Sequence, residues 1–151
     1  MKILLEVIPH EQQRLGASGD WFFEPNGDLV VRVSDFGDWR YNFLVLRHEM
    51  DEAMLCMHAG ITTEMVDEDQ KASLPSDDPD SFSGYPGARL QNQHNDALAA
   101  EWVMGRLLGV DWLEYSKAYM KYEDEPEPDP NSYYRPQKEA TSGNENAADG
   151  N

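Results

Sequence analysis

The segment His48-Glu49-Met50-Asp51-Glu52 combines residue types that bind metals and transfer protons. At about 100° per residue, the surrounding stretch Phe43–Ala59 forms a helix that is apolar around most of its circumference. His48, Glu49 and Glu52 therefore project from a part of this helix that the rest of the protein should cover. Burying ionisable groups without partners is costly, so a fold that keeps them needs a compensating cation, a shared proton or a functional role.

A second stretch, Gln93–Leu108, has the same character. Its apolar face carries His94 and Glu101, which lie two helical turns apart in the middle of that face. Two predicted helices thus each turn a histidine and at least one glutamate toward an interior. Pointed at each other, they would form one cluster, which is the predicted site: His48, Glu49, Glu52, His94 and Glu101.

This set of residues suits a divalent transition metal, with zinc as the first choice. His48 and Glu52 are four residues apart, so both side chains can reach one ion from the same helix face. Adding His94 gives two imidazoles and a carboxylate, which is a ligand set of catalytic zinc with an open position. Glu49 could take a proton from the metal-bound water. Glu101 is either a further metal ligand or a carboxylate that fixes an imidazole tautomer.

The string His48-Glu49-x-x-Glu52 resembles the helical His-Glu-x-x-His signature of the zincin metallopeptidases. The match covers His48, Glu49 and the position of the second histidine, where this chain has Glu52. The order of β-strands followed by a helix is also similar. The resemblance implies metal-dependent hydrolysis, with peptide bonds as one possible substrate and Glu49 as the catalytic base.

The stretch His48–Asp67 also looks like small uncharacterised proteins of tailed bacteriophages, on its Glu-Ala-x-x-Cys string and Gly-Ile turn. That resemblance implies a viral origin and names no activity. It leaves open a function of another class, in which an acidic phage protein without catalysis binds and inhibits a host or defence factor. Such a protein could imitate the charge of DNA. Its partner would be a host protein in the host cytoplasm.

Three other interpretations use the same residues. Glu49 and Glu52 could hold magnesium, as in helical nucleotide pyrophosphatases, although imidazole ligands favour softer metals. The two-histidine, one-carboxylate set would also suit a non-haem iron oxygenase, whose usual barrel needs more strands than this sequence predicts. Buried His–Glu pairs also link helices, and carboxylates line oligomer interfaces, without any metal.

The chain is strongly acidic, with a net charge of -17 from 29 acidic and 12 basic residues. Residues 123–151 hold 8 acidic and 2 basic residues, so this segment contributes -6 and residues 1–122 contribute -11. Direct nucleic-acid binding needs clustered Lys and Arg and is therefore not expected. No apolar run approaches the roughly 20 residues that span a bilayer. The single cysteine, Cys56, is expected to be a buried thiol in a reducing compartment, so we expect a cytoplasmic protein.

Short β-type runs precede the first helix, and an Asn26-Gly27 hairpin turn lies between two of them. These runs are Lys2–Ile8, Asp20–Phe23, Leu29–Val33 and Trp39–Asn42. Further helices are expected from Thr62 or Thr63 through Asp67, and over Trp112–Tyr122. The predicted fold class is therefore α+β, a small antiparallel β-meander packed against about three helices.

The predicted domain occupies residues 1–122. Residues 123–151 have the composition of an acidic disordered tail, because Asp, Glu, Pro, Asn, Gly and Ser dominate there. Leu74–Leu90 is rich in Pro, Ser, Asp and Gly and predicts a long surface loop between the two site helices. That loop is either a flexible connector or a lid over the site.

Overall fold

The computed structural model describes residues 1–14, 17–72 and 88–123. In those residues the chain forms three strands and four α-helices, which confirms the α+β class. In chain order these are β1 (Ile3–Ile8), β2 (Gly19–Phe23), β3 (Leu29–Ser34), α1 (Trp39–Ala59), α2 (Thr63–Ala72), α3 (Gln91–Leu107) and α4 (Trp112–Glu123). A single 3-10 turn, His10–Gln12, follows β1.

The sheet has the strand order β1-β3-β2, with β3 in the centre. The predicted hairpin joins β2 to β3, and Gly27 takes the positive φ of 82° that its turn requires. β1, however, runs parallel to β3, so the sheet is mixed and the prediction of a fully antiparallel meander is wrong for this strand. A run of apolar residues indicates a strand but does not specify the direction in which that strand runs beside its neighbour.

Trp39–Asn42, predicted as a strand, is the first turn of α1. The Asp38 carboxylate accepts a hydrogen bond from the Arg40 N–H at 2.9 Å and caps the helix. The Asn42 side-chain oxygen accepts another from the Phe36 N–H at 2.8 Å. The helix therefore begins four residues before the predicted Phe43. It ends where predicted, because Gly60 adopts the left-handed conformation with φ 74°.

α1 packs against β2 and β3 on one side and against α3 on another. The sheet face toward α1 is formed at its centre by Leu29, Val31 and Val33, all fully buried. Cys56 of α1 is fully buried in the same core, as predicted. This arrangement fixes α1 between two partners, so side chains on two of its sides are removed from water.

The other helices differ from prediction mainly at their ends. α3 begins two residues before and ends one residue before the predicted Gln93–Leu108, and α2 continues to Ala72. Only residues 88–90 of the predicted loop Leu74–Leu90, and only Glu123 of the predicted tail, fall in the described residues. None of the helices in the described residues combines the length and apolar content needed to cross a membrane.

Candidate metal centre

α1 presents three ionisable side chains on its covered sides. His48, Glu49 and Glu52 keep only 6%, 8% and 6% of their surface exposed. His48 and Glu52 are one helical turn apart and lie on the same face. Glu49 follows His48 and is turned by about 100° from it, toward the sheet.

α3 contributes His94 and Glu101, two turns apart on the face that packs against α1. Glu101 is buried, whereas the His94 side chain keeps 21% of its surface exposed. Both residues contact His48, one at each ring nitrogen. His94 is therefore the most exposed of the histidines and carboxylates at this helix contact.

Three potential ligand atoms converge at the centre of the cluster. His48 Nε2 and His94 Nδ1 are 3.2 Å apart, and His94 Nδ1 lies 2.8 Å from Glu52 Oε2. The third side of this triangle, from His48 Nε2 to Glu52 Oε2, measures 3.7 Å. His48, Glu52 and His94 therefore form a group that could hold a metal ion.

The three separations can be compared with those between the ligands of a zinc ion. Zinc binds imidazole nitrogen and carboxylate oxygen at about 2.0–2.2 Å, so two ligands of a tetrahedral ion lie about 3.3–3.5 Å apart. The three separations of 2.8, 3.2 and 3.7 Å bracket that value. Three protein ligands leave a fourth tetrahedral position for water or substrate, as in catalytic zinc sites.

Glu101 is bound to the back of the His48 ring rather than to the triangle. One carboxylate oxygen accepts a hydrogen bond from His48 Nδ1 at 2.8 Å, and the other accepts one from the Tyr115 hydroxyl of α4. A carboxylate at this position holds a proton on Nδ1, which leaves Nε2 as the ring nitrogen that faces the triangle. Of the two roles considered for Glu101, this geometry is that of the carboxylate that orients an imidazole.

Trp21 orients the Glu52 carboxylate, as Glu101 orients the His48 ring. The buried indole N–H donates a hydrogen bond of 2.8 Å to Glu52 Oε1. The second oxygen, Oε2, is the one that faces His94 and His48. Trp21 lies on the face of β2 that α1 covers, so the sheet itself fixes the orientation of this carboxylate.

Glu49 lies directly over Gly19, the first residue of β2. A Cβ atom added to Gly19 would stand 2.3 Å from Glu49 Oε1 and 2.7 Å from its Cγ and Cδ. Only glycine leaves room for the carboxylate at this position. Glu49 is also close enough to His48 to raise the pKa of the imidazole through its charge. The predicted base is therefore buried between α1 and the sheet, near enough to His48 for its charge to act on the imidazole.

Charges within the cluster shift the pKa of its members. Burial alone would lower the pKa of His48, but the hydrogen bond to Glu101, the nearby Glu52 carboxylate and the charges of Glu101 and Glu49 raise it well above 6.5. Burial alone would raise the pKa of Glu52, but contacts with His48 and His94 hold it far below 4.5. Without metal, His48 is therefore an imidazolium and Glu52 a carboxylate at neutral pH.

Two neighbouring groups stay protonated. Burial and the charge of Glu101 raise the pKa of Tyr115 well above 10.0, so its hydroxyl remains a donor to Glu101. Burial and the charge of Glu52 raise the pKa of Cys56 to about 12. A thiol with that pKa forms almost no thiolate at neutral pH, which agrees with a structural role for Cys56.

The structure brings all five predicted site residues into one region. Three of them form the triangle, Glu101 binds the His48 ring, and Glu49 lies against the sheet beside them. Sequence reasoning missed Gly19, Trp21 and Tyr115, which come from β2 and α4. The local sequence does not mark Trp21 or Tyr115 as part of the site. The one available signal is general: a buried indole or phenol needs a hydrogen-bond partner. His10 and His58 lie elsewhere: His10 contacts Ser34 at 2.9 Å, and His58 is exposed.

The comparisons with known proteins add no family to this geometry. No protein-family model matches the chain, and neither a curated protein nor a solved structure is similar to it.

Proposed function

We propose that this protein binds a divalent transition metal, zinc as first choice, and uses it for hydrolysis. The ligands are His48 Nε2, His94 Nδ1 and Glu52 Oε2. The observation that supports this most directly is the triangle of their separations, 2.8, 3.2 and 3.7 Å, in a buried setting. Two imidazoles with one carboxylate favour zinc, iron or manganese over magnesium.

The residues around the triangle favour a bound metal over His–Glu pairs that only join α1 to α3. Both Glu52 and Glu101 pair with histidines, and Glu49 adds a third buried carboxylate nearby. Three buried acids against two imidazoles leave an excess of negative charge that a dication would compensate. Hydrogen bonds from Trp21 and Tyr115 also satisfy one oxygen of each of these two carboxylates. The other oxygen of Glu52 is directed at the triangle, and the other oxygen of Glu101 binds His48 Nδ1.

The proposed chemistry is the attack of water on a carbonyl or phosphoryl centre. A bound metal would supply Lewis acidity and lower the pKa of a water molecule. Glu49 would accept the proton of that water, which is the role implied by the zincin resemblance. Glu101 and Tyr115 would keep His48 in the required tautomer and orientation, and Trp21 would do the same for Glu52.

Metal binding is tested by elemental analysis of untagged full-length protein and by calorimetric titration of that protein with Zn²⁺. We expect one equivalent in the wild type and substoichiometric binding in His48→Ala and His94→Ala. His58→Ala is the matched control, because His58 is an exposed histidine on the same helix. Equal Zn²⁺ binding by wild type and both triangle variants would contradict the site.

The hydrolysis is tested separately with Glu49→Gln. This change should lower turnover of a peptide, ester or phosphodiester substrate by about 100-fold to 10,000-fold while bound metal is retained. Asp96→Asn, which neutralises an exposed carboxylate on α3, should leave turnover unchanged. If wild type binds Zn²⁺ but Glu49→Gln loses no activity, the metal site stands and the role of Glu49 as base does not.

The alternative of a noncatalytic inhibitor of a host factor draws on the net charge of -17. This alternative predicts a different response to Glu49→Gln. Binding of a host partner would be indifferent to Glu49→Gln and would fall steeply with salt, because interactions between exposed charges are screened. Partner capture from host lysate at low and high salt, with wild type and Glu49→Gln side by side, separates the two functions.

A further inference from the structure

The two edges of the sheet differ in how they are covered. The outer edge of β2 faces α2, where the Phe23 N–H donates to Thr63 Oγ1 at 3.4 Å. Arg14 adds a bridge from Asp20 of β2 to Asp67 of α2, at 2.9 and 2.7 Å. In the described residues nothing pairs with the outer edge of β1, which bonds only to β3.

β1 is also the most exposed apolar segment of the sheet. Ile3, Leu4, Leu5 and Val7 leave 44%, 50%, 48% and 44% of their surface exposed. Their counterparts in β3 on the α1 side are fully buried, because the sheet contacts of α1 are mainly with β3 and β2. An open strand edge with apolar side chains on both faces is a template for pairing with another strand.

The backbone of β1 shows which groups are available at that edge. The carbonyls of Lys2 and Ile8 accept hydrogen bonds from Leu29 and Asp35, each at 2.9 Å. Even-numbered residues of β1 therefore direct their backbone groups toward β3. Because successive residues alternate, Ile3 and Leu5 direct both N–H and C=O toward the open edge.

We propose that a second copy of this chain occupies the open edge, with β1 pairing antiparallel to β1 of the partner about a twofold axis at Leu4. In this register Leu4 lies opposite Leu4 and Ile3 opposite Leu5, and Lys2 lies opposite Glu6. The residues whose backbone groups point outward, Ile3 and Leu5, form the hydrogen-bonded pairs. The result is a continuous six-stranded sheet, three strands from each copy.

Charge complementarity selects the second copy and this register. Antiparallel strands place apolar residues opposite apolar ones and Lys2 opposite Glu6 twice, once on each side of the axis. Moving the axis to Glu6 would set two like charges opposite each other, and moving it to Leu5 would set Leu4 opposite Glu6. Glu6 also pairs with Arg32 of β3 at 2.7 Å, so Lys2, Glu6 and Arg32 together carry no excess of negative charge although the whole chain is strongly acidic.

The dimer is tested by sedimentation velocity on the full chain over a range of concentrations. We expect a dimer in the wild type and a monomer in Leu5→Lys, because a charge at an exposed edge position blocks strand pairing. Leu107→Lys is the matched control, since Leu107 is 75% exposed on α3 and should leave the dimer unchanged. A wild type that stays monomeric, including one whose edge is covered by another segment of this chain, overturns the proposal.

Two further measurements test the register. Lys2→Glu and Glu6→Lys should each weaken the dimer by roughly 2-fold to 30-fold, and the double variant should restore it. Leu4→Cys should form an intermolecular disulfide on oxidation, because residues directly opposite at a non-hydrogen-bonded position have Cα atoms about 4.5 Å apart. Leu5→Cys should cross-link more slowly, and the buried Cys56 does not compete. Preferential cross-linking of Leu5→Cys, or no rescue by the double variant, overturns the register.

Discussion

His48 donates a hydrogen bond from Nδ1 to the Glu101 carboxylate at 2.8 Å, across the contact between α1 and α3. This one contact separates the roles of the two ring nitrogens, since Nδ1 is committed to Glu101 and Nε2 faces His94 and Glu52. It connects the centre of the cluster to α4, because Glu101 also accepts a hydrogen bond from Tyr115. The geometry of the proposed metal site therefore depends on residues that would not touch the metal.

Replacing Glu101 with Gln tests that dependence. The amide retains the volume of the carboxylate but cannot hold the His48 proton with a negative charge, so Zn²⁺ affinity should fall about 10-fold to 100-fold. Calorimetric titration measures the change, with Glu114→Gln on the exposed side of α4 as control. Unchanged affinity in Glu101→Gln would show that His48 needs no carboxylate partner to bind the metal.

Tyr115→Phe removes the donor to Glu101 and leaves a buried carboxylate oxygen without that partner. We expect the free energy of unfolding of the metal-free protein to fall by about 1–3 kcal/mol. Urea denaturation in the presence of a chelator measures this loss. Tyr41→Phe is the control, because the Tyr41 ring packs against Tyr115 at 5.1 Å between centroids but is not the donor to Glu101. An equal, small effect of both changes would mean that the hydrogen bond contributes little.

Gly19→Ala should displace Glu49, because the new methyl group would stand 2.3 Å from Oε1 and 2.7 Å from Cγ. Both residues are held in packed surroundings, so the variant should lose stability and turnover while keeping its Zn²⁺. A double-mutant cycle identifies the cause. In a Glu49→Ala background the clashing atoms are gone, and the stability cost of Gly19→Ala should largely disappear. A cost that persists in that background would assign it to the backbone of β2 instead.

The metal-free protein should be stabilised by its cluster in a limited pH range. The pKa of His48 is raised above 6.5, so its contribution is complete below about pH 6.5 and is lost as the pH rises through the value in the folded protein. The pKa of Glu52 is lowered below 4.5, so its contribution is complete above about pH 4.5 and is lost as the pH falls through its folded value. Both contributions are therefore complete between about pH 4.5 and about 6.5.

Melting temperature measured against pH in a chelator tests this range. His48→Gln cannot titrate, so the difference in melting temperature between wild type and this variant should shrink as the pH rises above about 6.5. A difference that stays constant well into the alkaline range would contradict the raised pKa of His48. Comparison with the variant is needed because the net charge of -17 adds a pH dependence of its own.

Much of the site could be predicted because α-helical periodicity is local. Apolar residues three and four apart gave α1 and α3, and the positions of His48, Glu52, His94 and Glu101 on their covered faces followed from about 100° per residue. The predicted strand over Trp39–Asn42 failed because the Asp38 cap outweighs the β-type pattern there. The Asn42 side chain adds a second hydrogen bond at this helix start, from the Phe36 N–H.

By itself, the sequence determined that two helices would turn imidazoles and carboxylates inward, and that a small sheet would need α1 as its cover. Only the tertiary structure decided that Glu101 binds the His48 ring while Glu52 faces the centre, since both are glutamates on apolar helix faces. It also supplied Gly19, Trp21 and Tyr115 from distant segments, and it set β1 parallel to β3. Periodicity specifies which side of an element is buried, whereas the partner it meets there depends on the packing of elements far apart in the chain.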